Sequence, residues 1–390
     1  MKRIMDLATN VSRLRSEDRT LWHSIFEVME TQGDMCIPKS FRRKTLGYFG
    51  RRRETEDAVC ERVQRQKIVR IRNKWSGEEA LFNELRADRP GMRPDPKESA
   101  RVNEVVKQAE QNGCDFCNPL RYTSKDVFGR IRRAFVDEQR VTRTVWTGSN
   151  VAKYDAWSGM VYFWHHHPLE FTRAEMDAVI DAGFEWFSRV QTKDHEAKYP
   201  FFMWNCISKA GASQVHPHAQ VLIARSQPYG KVRTLLQTIT RYEEHSSSEF
   251  IKTRRYLDDL YLVHRSIGLG QRISSGGDDP VRVLVSITPV KEKETLIIAE
   301  KSPAHSESAR HAIFSIVRCL VDDLGVTSFN VAIMMPQIEA SGRIPFCLIR
   351  IVDRGSLSKA TSDIGGMELY GTTVIATDPY VVARKLSKRL

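Results

Sequence analysis

The stretch "SQVHPHAQVLIA", residues 213–224, constrains this chain more than any other. It runs from a polar turn into an apolar segment that reads as a buried strand. Side chains two apart on a strand share a face. His216, His218 and Gln220 therefore point one way, and Val215, Ala219 and Val221 the other. Pro217 has no amide hydrogen for a sheet ladder, so this point is a strand start, an edge or a bulge. Two histidines at that spacing, with a glutamine in step, read as a chemical site rather than as a coincidence of the core.

A second chemical element is "CDFC", Cys114 to Cys117. The chain has seven cysteines, an odd number with one tight pair, which is not a disulfide framework. In a reduced protein CxxC means metal or redox chemistry. Asn118 and Pro119 follow directly, which suits a metal knuckle better than a thiol pair opening a helix. Two thiolates need two more ligands. The candidates are one of His165, His166 and His167 and one of His216 and His218.

The remaining pattern is α+β. "GMVYFWHHH" reads as a strand and "FTRAEMDAVIDAGFEWFSRV" as a helix, with Thr172 and Glu175 as a capping-box pair. "PFFMWNCI" and "HAQVLIA" are two further strands. The order recurs as "TLIIAE", the helix "SESARHAIFSIVRCLVDDLG", "FNVAIMM" and "FCLIRIV". That recurrence predicts two similar units joined by helical sequence, only the first carrying the histidine pair. The expected division is a basic, mostly helical extension over 1–75, a catalytic unit over 76–230, and a second, non-catalytic unit over 231–390.

The net charge of +12 is concentrated in residues 41–75, which hold twelve Lys/Arg against four Asp/Glu. A polyanion partner is one reading. Few interleaved aromatics and no reader motif make nucleic acid the weaker one, against a solvated basic surface. No run of eighteen apolar residues and no cleavable leader is evident, so no membrane partner and a cytoplasmic location are expected.

The motifs together resemble the galactose-1-phosphate uridylyltransferases and related nucleotide-sugar phosphorylases of the histidine-triad superfamily. The resemblance rests on Ser213 to Gln220, on "RADRP" (Arg86, Ala87, Arg89, Pro90), on the Cys114/Cys117 pair after it, on Asn205 before Ser213, and on Glu368 in "SDIGGMELYG". It covers residues 76–230 well and the rest faintly. It implies two histidine-triad-like units and a nucleotidyltransferase acting through a covalent nucleotidyl-histidine. The nucleotide of a nucleoside diphosphate sugar would pass to a sugar 1-phosphate or to inorganic phosphate.

Residue by residue, the resemblance makes His218 the nucleophile, with Gln220 and Ser213 beside it. Zn2+ would sit on Cys114, Cys117, His167 and His216. Arg86, Arg89, Asn205 and Glu368 would bind substrate, and Asn150 completes that set of candidates. A homodimer is expected. Glutamine at 220, where the hydrolytic branch has histidine, has no proton to give a poor leaving group. That favours transfer from a phosphate leaving group over hydrolysis. The alternatives are a diadenosine polyphosphate phosphorylase and a nucleic-acid-binding protein on a catalytically silent fold of the same kind.

Overall fold

Fourteen short strands among the described residues organise the chain into two sheets. The computed structural model describes residues 2–89, 95–249, 254–277, 280–358 and 364–390. Strands β1 (Phe26–Asp34), β2 (Arg65–Asn73) and β3 (Glu79–Phe82) form a small sheet, completed by the C-terminal β14 (Thr372–Ile375), which runs parallel to β3. The first 75 residues thus hold two nine-residue strands between their helices, which the sequence reading did not anticipate. In β2, Val69 and Ile71 turn inward while Arg70 and Arg72 turn out. The alternation was there, masked by the density of arginine.

The main sheet has ten antiparallel strands. The first five are β4 (Arg132–Val136), β5 (Thr142–Ser149), β6 (Ser158–Tyr162), β7 (Tyr199–Asn205) and β8 (His218–Ala224). The second five are β9 (Gly270–Ile273), β10 (Val281–Val285), β11 (Glu292–Ala299), β12 (Phe329–Met334) and β13 (Cys347–Asp353). Their spatial order is β4-β5-β6-β8-β7-β12-β13-β11-β10-β9. This list is the same topology read outward twice from a central seam, β7 against β12. The duplicated order expected from sequence is therefore a pseudo-twofold sheet.

Helix α1 (Glu98–Gln111) turns Val102 and Val106 inward ahead of the cysteine pair. Helix α2 (Arg173–Lys193) covers one face of the first half. Gly183 of α2 lies so close to Phe202 and Val221 that a Cβ there would approach them to 2.8 and 3.3 Å. Phe202 and Val221 are cross-strand partners and share that face. Helices α3 (Gly230–Glu249) and α4 (Tyr256–Ser266) link the halves and, with Leu296, Met334, Leu348 and Arg350, enclose a small pocket over the second half. Helix α5 (Glu307–Arg318), capped by Ser306, packs against β10 and β11. Among the described residues, no helix is long and apolar enough to cross a membrane.

Candidate active site and metal centre

Strand β8 begins at His218, directly after Pro217, as the missing proline amide requires. Its cross-strand partners define which residues share the face away from α2. Tyr162 lies opposite His218, and Met160 and Met203 lie opposite Gln220. Trp204 pairs with Ala219, so the next step of the register brings Asn205 alongside His218. Asn330 of β12 faces Asn205, and Val352 of β13 faces Asn330. One row, Tyr162–His218–Asn205–Asn330–Val352, crosses five strands on a single face.

His218 is buried, and its Nδ1 lies 2.9 Å from the backbone carbonyl of His216. A carbonyl only accepts, so Nδ1 carries the hydrogen and Nε2 keeps the lone pair. Burial pushes the His218 pKa below its ordinary value, which favours that neutral ring. The ring packs edge-on against Phe116, with centroids 5.1 Å apart, and Phe116 lies tilted against Tyr162 at 4.6 Å. Phe116 was missed in the sequence. It stands inside the CxxC, where its only signal was an aromatic between two candidate ligands.

Two residues back, His216 Nε2 lies 2.8 Å from the carbonyl of Phe163 and so donates to it. That leaves the Nδ1 lone pair of His216 facing Cys117 Sγ at 3.4 Å. His166 is arranged the same way, with Nε2 at 3.3 Å from the Val106 carbonyl and Nδ1 3.1 Å from Cys117 Sγ. The two Nδ1 atoms stand 3.3 Å apart. Both hydrogens are committed elsewhere, so two lone pairs face each other with no proton between them. Only a cation relieves that contact. Cys114 completes the set, all four donor atoms lying within 4.8 Å of one another.

These donors fit a tetrahedral ion. Ligands at roughly 2.0–2.3 Å from zinc would place two nitrogens about 3.3 Å apart and a nitrogen and a sulfur about 3.5 Å apart. Burial and the neighbouring Cys114 push the Cys117 thiol up to about 12, so two thiolates here require a positive partner. Burial likewise pushes His216 down to about 4, keeping its ring neutral, as a ligand must be.

The fourth ligand position differs from the expectation. His167 turns out of the cluster: its Nε2 meets Asn103 Oδ1 at 3.0 Å, and its Nδ1 accepts from the Leu169 amide at 3.2 Å. Both ring nitrogens are engaged, so His166, and not His167, faces the cysteines. The loop is set by Glu175, fully buried on α2. Thr172 caps the helix by accepting from the Glu175 amide, as anticipated. The Glu175 carboxylate, however, does not close a capping box. It accepts from the Trp164 and His165 amides at 2.6 and 3.0 Å and binds the His165 ring. Holding those two amides orients the next residue, His166.

The other sequence candidates are dispersed over the structure. Gln220 is buried on the same face as His218, and its Oε1 has no protein partner among the described residues. Ser213 is exposed on the loop before the histidines. Glu368 lines a cleft of about 580 Å³ together with Lys291, Asn330, Val352 and Arg354, and pairs with Lys291 at 2.6 Å. That cleft begins at Asn330, two strands from His218, roughly 10 Å across the sheet. Arg86 and Arg89 are on the short helical turn around Leu85–Asp88 that follows β3. Arg86 is half-buried, with Glu292 and Arg89 as charged neighbours. Pro90 lies outside the described residues. Asn150 follows β5 and bonds the Ser158 carbonyl through its amide. Ser158 pairs with Leu222, four residues along β8 from His218 and about 13 Å away, so Asn150 is not brought to the cluster. Trp204 is buried among Phe163, Phe171 and Phe329 and belongs to the core.

No family model matches the chain, and no curated protein matches it in sequence. Solved structures do. An ADP-glucose phosphorylase from Arabidopsis thaliana, crystallised with ADP-glucose, matches with a TM-score of 0.55 at 14% identity, over 81% of this chain and 97% of its own. A GalT-like protein from the same plant matches with a TM-score of 0.51 at 14% identity, over 71% and 92%. The fold is theirs. It is also the fold that the sequence resemblance implied. At such identity the likeness carries the architecture, and the chemistry rests on the side chains above.

Proposed function

We propose that the chain is a nucleotidyltransferase that takes the nucleotide of a nucleoside diphosphate sugar onto His218 Nε2 and passes it to inorganic phosphate or a sugar 1-phosphate. In the first half-reaction Nε2 forms a bond to the α-phosphorus, and the bond from that phosphorus to the bridging oxygen breaks. The sugar phosphate leaves with that electron pair and needs no proton. In the second, an acceptor phosphate oxygen attacks the same phosphorus, and the P–N bond returns its pair to the ring. The Nδ1 hydrogen stays on the His216 carbonyl throughout.

The observation that carries this reading is the tautomer: a buried imidazole whose outer nitrogen is held as a lone pair on the face shared with Asn205 and Gln220. The developing charge on the phosphoryl oxygens would be met by amide donors of those two side chains. The cleft with Lys291, Arg354 and Glu368 is the proposed seat of the sugar and the outgoing phosphate. Arg86 and Arg89 are proposed as further phosphate ligands, completed in a homodimer. Cys114, Cys117, His166 and His216 would hold a zinc ion, which when bound supplies a rigid cross-link between the cysteine knuckle and the start of β8. His216 and His218 thereby take different parts, one anchoring the strand and the other reacting.

The test is intact-protein mass spectrometry after exposure to ADP-glucose, UDP-glucose, GDP-mannose and diadenosine tetraphosphate. One of them should add a nucleoside monophosphate mass that is acid-labile, maps to His218, and is discharged by phosphate or a hexose 1-phosphate. His218→Ala should abolish it. An adduct that persists in His218→Ala would refute the assignment.

A further inference from the structure

At the seam of the sheet, three side chains form a hydrogen-bonded relay whose direction is fixed by chemistry. Asn330 Nδ2 donates to the backbone carbonyl of Ala210 at 2.9 Å and to Asn205 Oδ1 at 2.6 Å. Asn330 Oδ1 accepts from the Arg354 guanidinium. The two ends of an amide are often interchangeable, but not here. A backbone carbonyl only accepts, and a guanidinium only donates. The Asn330 atom facing Ala210 must be nitrogen, and the one facing Arg354 must be oxygen. Both hydrogens of that nitrogen are then spoken for, so the Asn205 atom that meets it must be oxygen. Asn205 consequently turns its own NH2 away from the seam. Among the described residues, that nitrogen meets only the weakly accepting Met203 sulfur, at 4.0 Å.

The register brings Asn205 alongside His218, and phosphoryl oxygens are acceptors. We propose that Asn330 and Arg354 are positioning residues that fix the Asn205 amide with its N–H groups towards the phosphoryl site beside His218. The inference rests on the reading of His218 as nucleophile, and it assigns a reaction role to two residues of the second half of the sheet. Ala210 lies in the loop that leads to the histidines, so the same Asn330 nitrogen also braces that loop. Arg354 lines the cleft that holds Glu368. It thus joins the far end of the proposed substrate to the near one.

Asn330→Asp tests the polarity while keeping the shape. A carboxylate cannot donate to Asn205 Oδ1, so the Asn205 amide turns over and presents oxygen to the phosphoryl group. Single-turnover nucleotidylation, followed by quenched-flow mass spectrometry with ADP-glucose and UDP-glucose as probes, should slow on the order of 100-fold in Asn330→Asp and in Asn205→Ala. Because Asn330 acts through Asn205, the double variant should fall no more than about threefold below Asn205→Ala alone. Arg354→Met should cost about tenfold, and Arg354→Lys, which restores a donor, should recover most of it. This second pair stands in if Asn330→Asp fails to fold. Losses that multiply to about 10,000-fold in the double variant, an unaltered rate in Asn330→Asp, or no recovery in Arg354→Lys would overturn the relay. An adduct in the unaltered protein with multiplicative losses overturns the relay alone. No adduct with any probe overturns the His218 reading and the relay with it.

Discussion

His166 and His167 are adjacent, chemically identical and oppositely committed, which makes them a sharp test of the metal centre. His166 Nδ1 faces Cys117 and His216 Nδ1, while His167 spends both nitrogens on Asn103 and the Leu169 amide. Four-ligand structural zinc sites bind with roughly 10–16 kcal/mol at neutral pH, so an even share is about 3 kcal/mol per ligand. His166→Ala should therefore weaken zinc about 100-fold, on the rule of 1.4 kcal/mol per decade. His167→Ala removes hydrogen bonds from an exposed ring and should cost about 1 kcal/mol of stability, with zinc affinity unchanged. Competition against a chromogenic chelator reads the affinity, and elemental mass spectrometry reads the stoichiometry. One equivalent of zinc at unaltered affinity in His166→Ala would refute the geometry, as would loss of zinc in His167→Ala.

Other consequences are as concrete. Glu175→Ala removes the acceptor of the part-buried Trp164 and His165 amides, at roughly 1 kcal/mol each, and should also weaken zinc 10- to 100-fold by freeing His166; wild-type values in thermal unfolding and chelator titration would contradict this. Burial holds His264 neutral, its pKa down to about 4, with Nδ1 donating to the Leu260 carbonyl. The unfolded chain protonates near 6.5 while the folded one does not, so stability falls as pH drops from about 6.5 towards 4, by about 2–3 kcal/mol at pH 4.5. Urea unfolding should show this loss shrinking in His264→Gln, and parallel pH profiles would exclude it. Gly159 has no room for a side chain, since a Cβ would stand 2.6 Å from the buried Trp186 ring, whose Nε1 donates to Asp126. Gly159→Ala should cost at least about 1–3 kcal/mol, and an unchanged melting temperature would show that Trp186 can yield.

How much of this was legible in the sequence depends on the range of the interaction. The eight elements of the duplicated order were readable, because each is set by local periodicity and by stops such as Pro217 and Gly325. So were the CxxC knuckle and three of the four cluster residues, Cys114, Cys117 and His216. The choice among three consecutive histidines was not. It depends on which ring nitrogen finds a backbone carbonyl, and the Val106 carbonyl that settles it lies 60 residues away. Glu175 looked like a helix cap because Thr172 and its spacing fit one. Its real partners come from the end of a neighbouring strand. The N-terminal strands were obscured for two reasons: arginines alternate with the inward residues of β2, and β1 is mostly exposed and offers no hydrophobic alternation to read.

The two halves of the sheet share a topology and divide the work. On the face where β8 places His218 and Gln220, the corresponding strand β13 carries Leu348, Arg350 and Val352 and no histidine, while its Cys347, Ile349 and Ile351 turn to the opposite face and are buried in the core. Its contribution lies on that shared face. There Arg350 is held between Glu78 at 2.9 Å and Glu294 at 3.0 Å, and Glu78 also binds Lys231 at 2.6 Å. A guanidinium so deeply buried is tolerable only because two carboxylates compensate it; against the cost of burial, Arg350 and Lys231 hold Glu78 below the usual carboxylate range, whereas burial pushes Glu294 above it. Breaking such a pair strands a charge, which makes this quartet a rigid floor rather than an adjustable contact. Glu78 and Lys231 line the same cleft as Asn330 and Arg354. On the proposed assignment of His218 as nucleophile, the second copy of the fold would hold what that nucleophile attacks. The seam between the copies, where Asn205 meets Asn330, is where the two tasks have to be aligned.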